Sequence, residues 1–270
     1  MCISNLSSAQ TQDLYDQKHS LQFANYLFAS NQYDLAVKEY ERVLFLKEGN
    51  QDSLKLQIIR SFSLSGNREK SVERARSLYN NNLSEFPAPF AKRYTKDLFL
   101  LRDFSQLNFY LQEKQAQLPR REKLFASTSM YVFNMNWEDA HLSLDLVKQA
   151  GMKEAAFFEK CIEDGENLRS KSPFVAGAFS TLVPGTGKLY TGDWQDGIFS
   201  FIMVGALAWQ SYRGFNKDGV KSGRGWIFGT IGLGFYTGNI WGSVRSAKKH
   251  NNLQKEALRQ KVSQHFKKNF

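Results

Sequence analysis

From about residue 20 to 151 the apolar positions recur at helical spacing, with almost none of the strict alternation a strand shows. Laying segments over one another brings out a period. Asn31-Gln-Tyr-Asp-Leu-Ala, Gly66-Asn-Arg-Glu-Lys-Ser, Arg102-Asp-Phe-Ser-Gln-Leu and Met135-Asn-Trp-Glu-Asp-Ala occupy equivalent places, 35, 36 and 33 residues apart. Each reads as the turn of a helix–turn–helix unit. Tyr33, Phe104 and Trp137 open the second helix, and Arg68 departs from that rule. Three residues on come Ala36, Ser71, Leu107 and Ala140, then four further on Tyr40, Ala75, Leu111 and Leu144. A small residue lets the helices of a hairpin approach, and the side chain one turn later fills the gap to the next hairpin. Pro87 and Pro89 mark an irregular junction between the second and third units. A helix predicted at 153–168, with Phe158, Cys161, Ile162 and Leu168 on one side, closes the apolar edge that a stack of hairpins leaves.

Beyond the polar linker Arg169-Ser-Lys-Ser-Pro the pattern changes. Apolar stretches at 173–190, 197–212 and 226–244 are dense, rich in small residues and edged by Tyr190, Trp194, Trp209, Tyr212, Trp226 and Trp241. The region holds 15 of the 19 glycines, from Gly177 to Gly242. No ionisable residue falls inside the second stretch between Gly197 and Tyr212, nor inside the third. Aromatic belts and small-residue interfaces are what helices in lipid show. The stretches of 16 to 19 residues are short beside the roughly 20 that a spanning helix needs, so a water-soluble helical hairpin is the alternative. Gly225, Gly229, Gly234, Gly238 and Gly242 permit close helix contact, either within this chain or in an oligomer.

Two resemblances follow. The period of about 34 residues resembles the tetratricopeptide repeat. The first unit carries Phe23-Ala24, Leu27, Asn31, Tyr33, Ala36, Tyr40 and Val43 in that family's positions, and the second keeps Ile58, Ile59, Phe62 and Gly66. The resemblance implies a concave surface that holds a peptide or partner protein and performs no chemistry. Asn25, Gln57 and Arg60, at polar positions of the first helices, are the groove candidates. Further along, Pro184-Gly185-Thr-Gly187-Lys-Leu-Tyr190-Thr-Gly192 resembles a small bacterial membrane module, in which an apolar segment ends in this motif and another apolar helix follows. Phe235-Tyr-Thr-Gly-Asn239-Ile-Trp looks like its closing element. That likeness covers about 170–250 and implies a location, with no activity attached. Asp193 and Asp196 are placed to cap the helix that follows the motif.

Charge sharpens the division. The chain carries a net charge of +10. Residues 1–170 balance 22 basic against 22 acidic residues, and residues 171–270 carry 14 against 4, so the whole excess lies in the second part. Basic residues beside apolar segments point to anionic lipid or cytoplasmic retention, and no nucleic-acid-binding motif accompanies them. Pro184-Gly-Thr-Gly-Lys188 is not a phosphate loop. Leu182 stands where the first glycine belongs and Leu189 where Ser or Thr would hold magnesium. Cys2 and Cys161 have no ligand spacing, and Cys161 reads as a small core residue; His19, His141, His250 and His265 are scattered. No catalytic, cofactor or metal site is expected. The start, with Ser7 and Ala9 at small positions ahead of Gln10, reads either as the remnant of a signal peptide or as a disordered terminus.

The expected protein is therefore all-α, a helix–turn–helix repeat solenoid followed by a short transmembrane hairpin or bundle. Residues 1–18 form the terminus, 19–170 about four repeats and a cap, 171–245 the membrane module, and 246–270 a basic tail. With three crossings and the tail in the cytoplasm, the repeats lie in the periplasm of a bacterial inner membrane. The basic loop 213–224 argues against that arrangement, and two crossings put repeats and tail on one side. The expected function is a membrane-anchored scaffold for a protein partner. A pore or transporter subunit and a soluble regulatory repeat protein are the alternatives.

Overall fold

A computed structural model describes residues 16–46, 50–113 and 117–270; Cys2 and the signal-like stretch around Ser7 and Ala9 lie outside them. The described residues are all-α, with thirteen α-helices, two short 3-10 turns and no strand. They form two compact units: the residues up to Glu159 together with Val262–Phe270, and Lys160–Lys261.

In the first unit the helices are α1 (Gln17–Ala29), α2 (Tyr33–Phe45), α3 (Gln51–Leu64), α4 (Arg68–Leu78), α5 (Ala88–Leu101), α6 (Phe104–Gln112), α7 (Arg120–Asn134), α8 (Trp137–Gln149) and the opening of α9 (Ala155–Glu166). The second helix of each hairpin starts where the repeat pattern places it, at Tyr33, Arg68, Phe104 and Trp137. The turns share one backbone device. Asn31, Gly66, Arg102 and Met135 all have φ near the left-handed value, at 60°, 90°, 61° and 59°. In each, the next N–H reaches back to a carbonyl of the preceding helix: Gln32 to Leu27, Asn67 to Phe62, Asp103 to Leu98, Asn136 to Tyr131. This closure stops the first helix and satisfies one of its last carbonyls. Ala36, Ser71, Leu107 and Ala140 are buried at the hairpin contacts, and so are Tyr40, Ala75 and Leu144 one turn later.

The proline junction is ordered. A 3-10 turn at Leu83–Glu85 leads to Phe86, which is fully buried against Tyr79, Phe90 and Tyr94 at centroid distances of 5.2, 4.8 and 5.1 Å. Burying one such ring stabilises by roughly 1.5–3 kcal/mol. That holds the irregular segment without a regular hairpin.

The second unit runs from the remainder of α9 through α10 (Pro173–Leu182), α11 (Thr186–Tyr190), α12 (Trp194–Asp218), a 3-10 turn at Gly219–Lys221, and α13 (Gly223–Asn269) as far as Lys261. The basic stretch 246–270 is thus no separate tail; it continues the helix that carries the third apolar stretch. Cys161 is buried, and burial pushes its thiol up to about 11, as suits a small core residue.

The transmembrane expectation needs correction: among the described residues no helix is long and apolar enough to cross a membrane. The first stretch is broken at Val183, where the backbone turns extended and α10 ends after ten residues. That is about 15 Å of helix against a hydrocarbon core of roughly 30 Å. In α12 the apolar run gives way to Gln210, Ser211 and Arg213, and in α13 the glycines dilute the apolar side chains.

Candidate functional site

The motif glycines are needed for close approach. Gly185 has φ of 90°, and a Cβ there would lie 2.0 Å from the Gly197 carbonyl oxygen. At Gly187 a Cβ would lie 1.9 Å from the Ala176 carbonyl oxygen, and its N–H donates to the Ser180 hydroxyl at 3.0 Å. Together with Pro184 they fold α11 tightly onto α10, while Gly192, with φ of 87°, turns the chain into α12. Tyr190 closes this turn: its hydroxyl accepts from the Ser172 N–H at 3.3 Å and its ring meets Phe179 at 5.7 Å. The expected carboxylate cap is not made. Asp193 is the N-cap residue of α12 without a side-chain cap bond, and its carboxylate accepts from Ser246 at 3.3 Å.

The glycines of α13 divide into two sets. A Cβ at Gly225 would meet the Phe215 ring at 2.7 Å, one at Gly229 the Ser211 hydroxyl at 2.9 Å, and one at Gly242 the Lys188 side chain at 3.3 Å. These three serve packing within the second unit. Gly234 and Gly238 face open space and line a cleft that also holds Lys188 and Asn239.

In the first unit Asn25 lies on α1, and Gln57 and Arg60 on α3. The Tyr40 hydroxyl donates to the Asn25 side chain at 2.8 Å. Arg60 donates to Gln57 at 3.3 Å and lays its guanidinium 5.2 Å from the Phe28 ring centroid. Burial raises the Tyr40 phenol, and the nearby Arg60 charge opposes that shift. The structure thus gathers Asn25, Arg60 and Gln57 around Tyr40 and Phe28.

The same helical positions continue along the stack. Asn25, Arg60 and Lys96 are separated by 35 and 36 residues, the spacing of the turns at Asn31, Gly66 and Arg102. By the same register Gln57 corresponds to Arg93. Arg93 belongs to a buried network. The Asp97 carboxylate accepts from Ser63 at 2.5 Å, from Ser71 at 2.7 Å and from Arg93 at 3.4 Å, and Arg93 also bonds Ser63. Burial raises the Asp97 carboxyl, and the Arg93 charge followed by the two serine hydroxyls works against it. The network ties α3, α4 and α5 together.

Beside Lys96 the surface of α5 and α7 is occupied. Val262–Phe270, the last turns of α13, seat two aromatic residues there. Phe266 is fully buried, stacked on Phe99 at 3.8 Å and 5.6 Å from Phe125. Phe270 lies 6.0 Å from Phe125, and the His265 ring stacks on Phe157 of α9 at 3.6 Å. Lys96 donates to the Lys267 carbonyl at 3.2 Å, and Lys92 lies 5.5 Å from the Phe270 ring centroid while pairing with Glu122 at 2.7 Å. Sequence reasoning missed this seat. Its signal is present all the same, because Leu258, Val262, Phe266 and Phe270 repeat every four residues, a helical stripe hidden among the seven basic residues of 246–270.

No group of three or more histidine, cysteine or acidic side chains gathers to hold a metal among the described residues. The chain matches no protein-family model, no curated protein and no solved structure.

Proposed function

We propose that this protein is a membrane-attached helical-repeat scaffold. In this reading the tetratricopeptide-like hairpins hold a helical protein segment along their first helices, and the glycine-rich unit fixes them to a bilayer. The observation that carries it is the seat at Phe99 and Phe125, which takes a helix with aromatic residues one turn apart. The occupant in this chain is its own Val262–Phe270. The partner is then a helix of the same kind, competing for the same rings, in the manner of an amphipathic helix in a groove. The open continuation past Asn25, Gln57 and Arg60 extends the binding surface.

Lipid attachment is supported by the side chains of α12. Ile198, Phe199, Phe201, Ile202, Trp209 and Tyr212 are all exposed, and at helical spacing they share one broad face of α12, opposite the buried Gly197, Ser200, Ser211 and Gly214. An exposed apolar face of that breadth is covered by either a partner protein or lipid. The polar breaks in α12 and α13 suit a hairpin that lies against the bilayer with its apolar face in one leaflet. Because Val262–Phe270 packs in the same unit as the hairpins, repeats and basic segment share a compartment. That favours attachment from one side of the bilayer over the three-crossing arrangement.

Carbonate washing of native membranes followed by immunodetection tests the attachment. Retention in the pellet and release by detergent support it. Release by carbonate alone overturns it and leaves a protein partner as the cover of α12.

A further inference from the structure

The second unit contains a cleft of about 590 Å³ between α12 and α13 that packing within the chain does not explain. Its polar groups are Lys188, Asp196, Ser200 and Asn239, and Phe199 and Phe235 stand among its apolar walls. Asn239 is 5% exposed, yet neither its amide nitrogen nor its amide oxygen has a hydrogen-bond partner among the described residues. A buried amide left so is costly, and native proteins rarely leave one without a reason. Ser200 orients the charged group beside it: it donates to the Asp196 main-chain carbonyl at 2.7 Å and accepts from the Lys188 ammonium at 3.1 Å. Two of the three Lys188 N–H donors are left over. Gly234 and Gly238 leave open space where side chains would close the cleft.

We propose that this cleft binds the headgroup of a zwitterionic amphiphile, a phosphate ester carrying a primary ammonium group on an acyl-chain lipid. The lining holds one cation and one carboxylate, so a headgroup of no net charge matches it better than a purely anionic one. Lys188 and the Asn239 amide N–H take the phosphate oxygens. The Asn239 carbonyl and Asp196, at the mouth on the first turn of α12, take the ammonium. The acyl chains lie against Phe199, Phe235 and their neighbours, which are exposed and unpolar. For the source of its ligand the proposal rests on the bilayer reading of this unit; the cleft geometry stands apart from it.

The test is native mass spectrometry of the full chain in detergent micelles, mixed with equal amounts of phosphatidylethanolamine, phosphatidylcholine and phosphatidylglycerol. A separate arm uses water-soluble phosphoethanolamine. Phosphatidylethanolamine is expected to be retained over phosphatidylglycerol by about tenfold, the worth of one charge-assisted hydrogen bond. Asn239→Leu weakens that preference, Lys188→Met lowers retention of all three lipids, which share the phosphate, without lowering the preference, and Asp196→Asn turns it towards phosphatidylglycerol. Gly238→Leu fills the cleft while keeping every polar group, so it abolishes retention in a chain whose far-ultraviolet circular dichroism is unchanged. Equal retention of all three lipids, an adventitious additive only, or no change on Gly238→Leu overturns the proposal. Binding of soluble phosphoethanolamine as tight as that of the lipid overturns the acyl-chain assignment. Because the assay is done in micelles, its failure is separate from failure of the carbonate test.

Discussion

Replacing Arg93 by Gln removes the only full positive charge hydrogen-bonded to the buried Asp97 among the described residues. The Asp97 side chain is 1% exposed and that of Arg93 is 20% exposed, so water cannot take over the compensation. Taking one partner from a buried ion pair costs about 3–5 kcal/mol, because the remaining charge is left in a low-dielectric site. Asp97→Asn removes the charge itself. Its amide oxygen still accepts from Ser63 or Ser71, and the leftover Arg93 is the more exposed partner, so the loss is smaller. The order Arg93→Gln worse than Asp97→Asn is the content of the prediction. At about 2–4 °C per kcal/mol for a chain of this size, Arg93→Gln lowers the thermal midpoint by roughly 6–20 °C. Burial already holds the Asp97 carboxyl above its ordinary value, and loss of Arg93 raises it further. A raised carboxyl favours the folded state below its unfolded pKa and loses that advantage as pH rises through the folded value. The Arg93→Gln deficit is therefore greatest at neutral pH and shrinks on acidification towards pH 4. Circular dichroism melts of both variants at several pH values check this. A larger loss for Asp97→Asn, or a deficit for Arg93→Gln independent of pH, refutes the reasoning.

Three further outcomes follow from the geometry. Phe266→Ala empties a fully buried ring site, worth about 3–5 kcal/mol in a fixed core; hydrogen exchange across Val262–Phe270 rises to the rate of an open helix end while α1–α4 are unchanged. Burial holds His265 below its ordinary value, with Lys268 and Lys153 acting the same way and Glu154 opposing them. The neutral ring is the one that stacks on Phe157, so docking of this segment is intact above the unfolded histidine value and weakens as pH falls below it; exchange at pH 7.5 and pH 5.5 shows the change, and His265→Phe removes it. Gly187→Ala drives a methyl into the Ala176 carbonyl, a rigid backbone atom; overpacking of this kind costs about 1–3 kcal/mol or more, and limited proteolysis after Lys188 increases.

The helical hairpins were legible because their information is local. Turn residues at one spacing, a small residue three positions into the second helix and a core residue four later suffice to place each hairpin, and the left-handed φ at Asn31, Gly66, Arg102 and Met135 shows what the turn motif encodes. Even Arg102 and Met135, poor choices for that conformation, follow the register. The helix from 153 was also readable from its apolar side, with α9 beginning at Ala155. What the sequence hid was non-local. Asp97 resembles any charged helix residue until Ser63 and Ser71, from two other helices, converge on it. Phe266 and Phe270 sit in a stretch whose basic residues suggest a solvated tail, and only the rings of α5 and α7 reveal their use. The spanning expectation over-weighted local apolarity, since it measured 173–190 as one apolar stretch although the turn at Pro184 and Gly185 leaves α10 only ten residues.

The groove is tested most directly by offering it the segment it already holds. A labelled peptide of residues 258–270 is titrated, by fluorescence anisotropy, into the full chain and into the full-length Phe266→Ala variant in the same detergent. The account predicts that the variant, with its seat vacated, binds the peptide at least about tenfold more tightly than the unaltered chain, and that a peptide lacking both phenylalanines fails to bind. No binding to the variant, or equal binding to both chains, contradicts it.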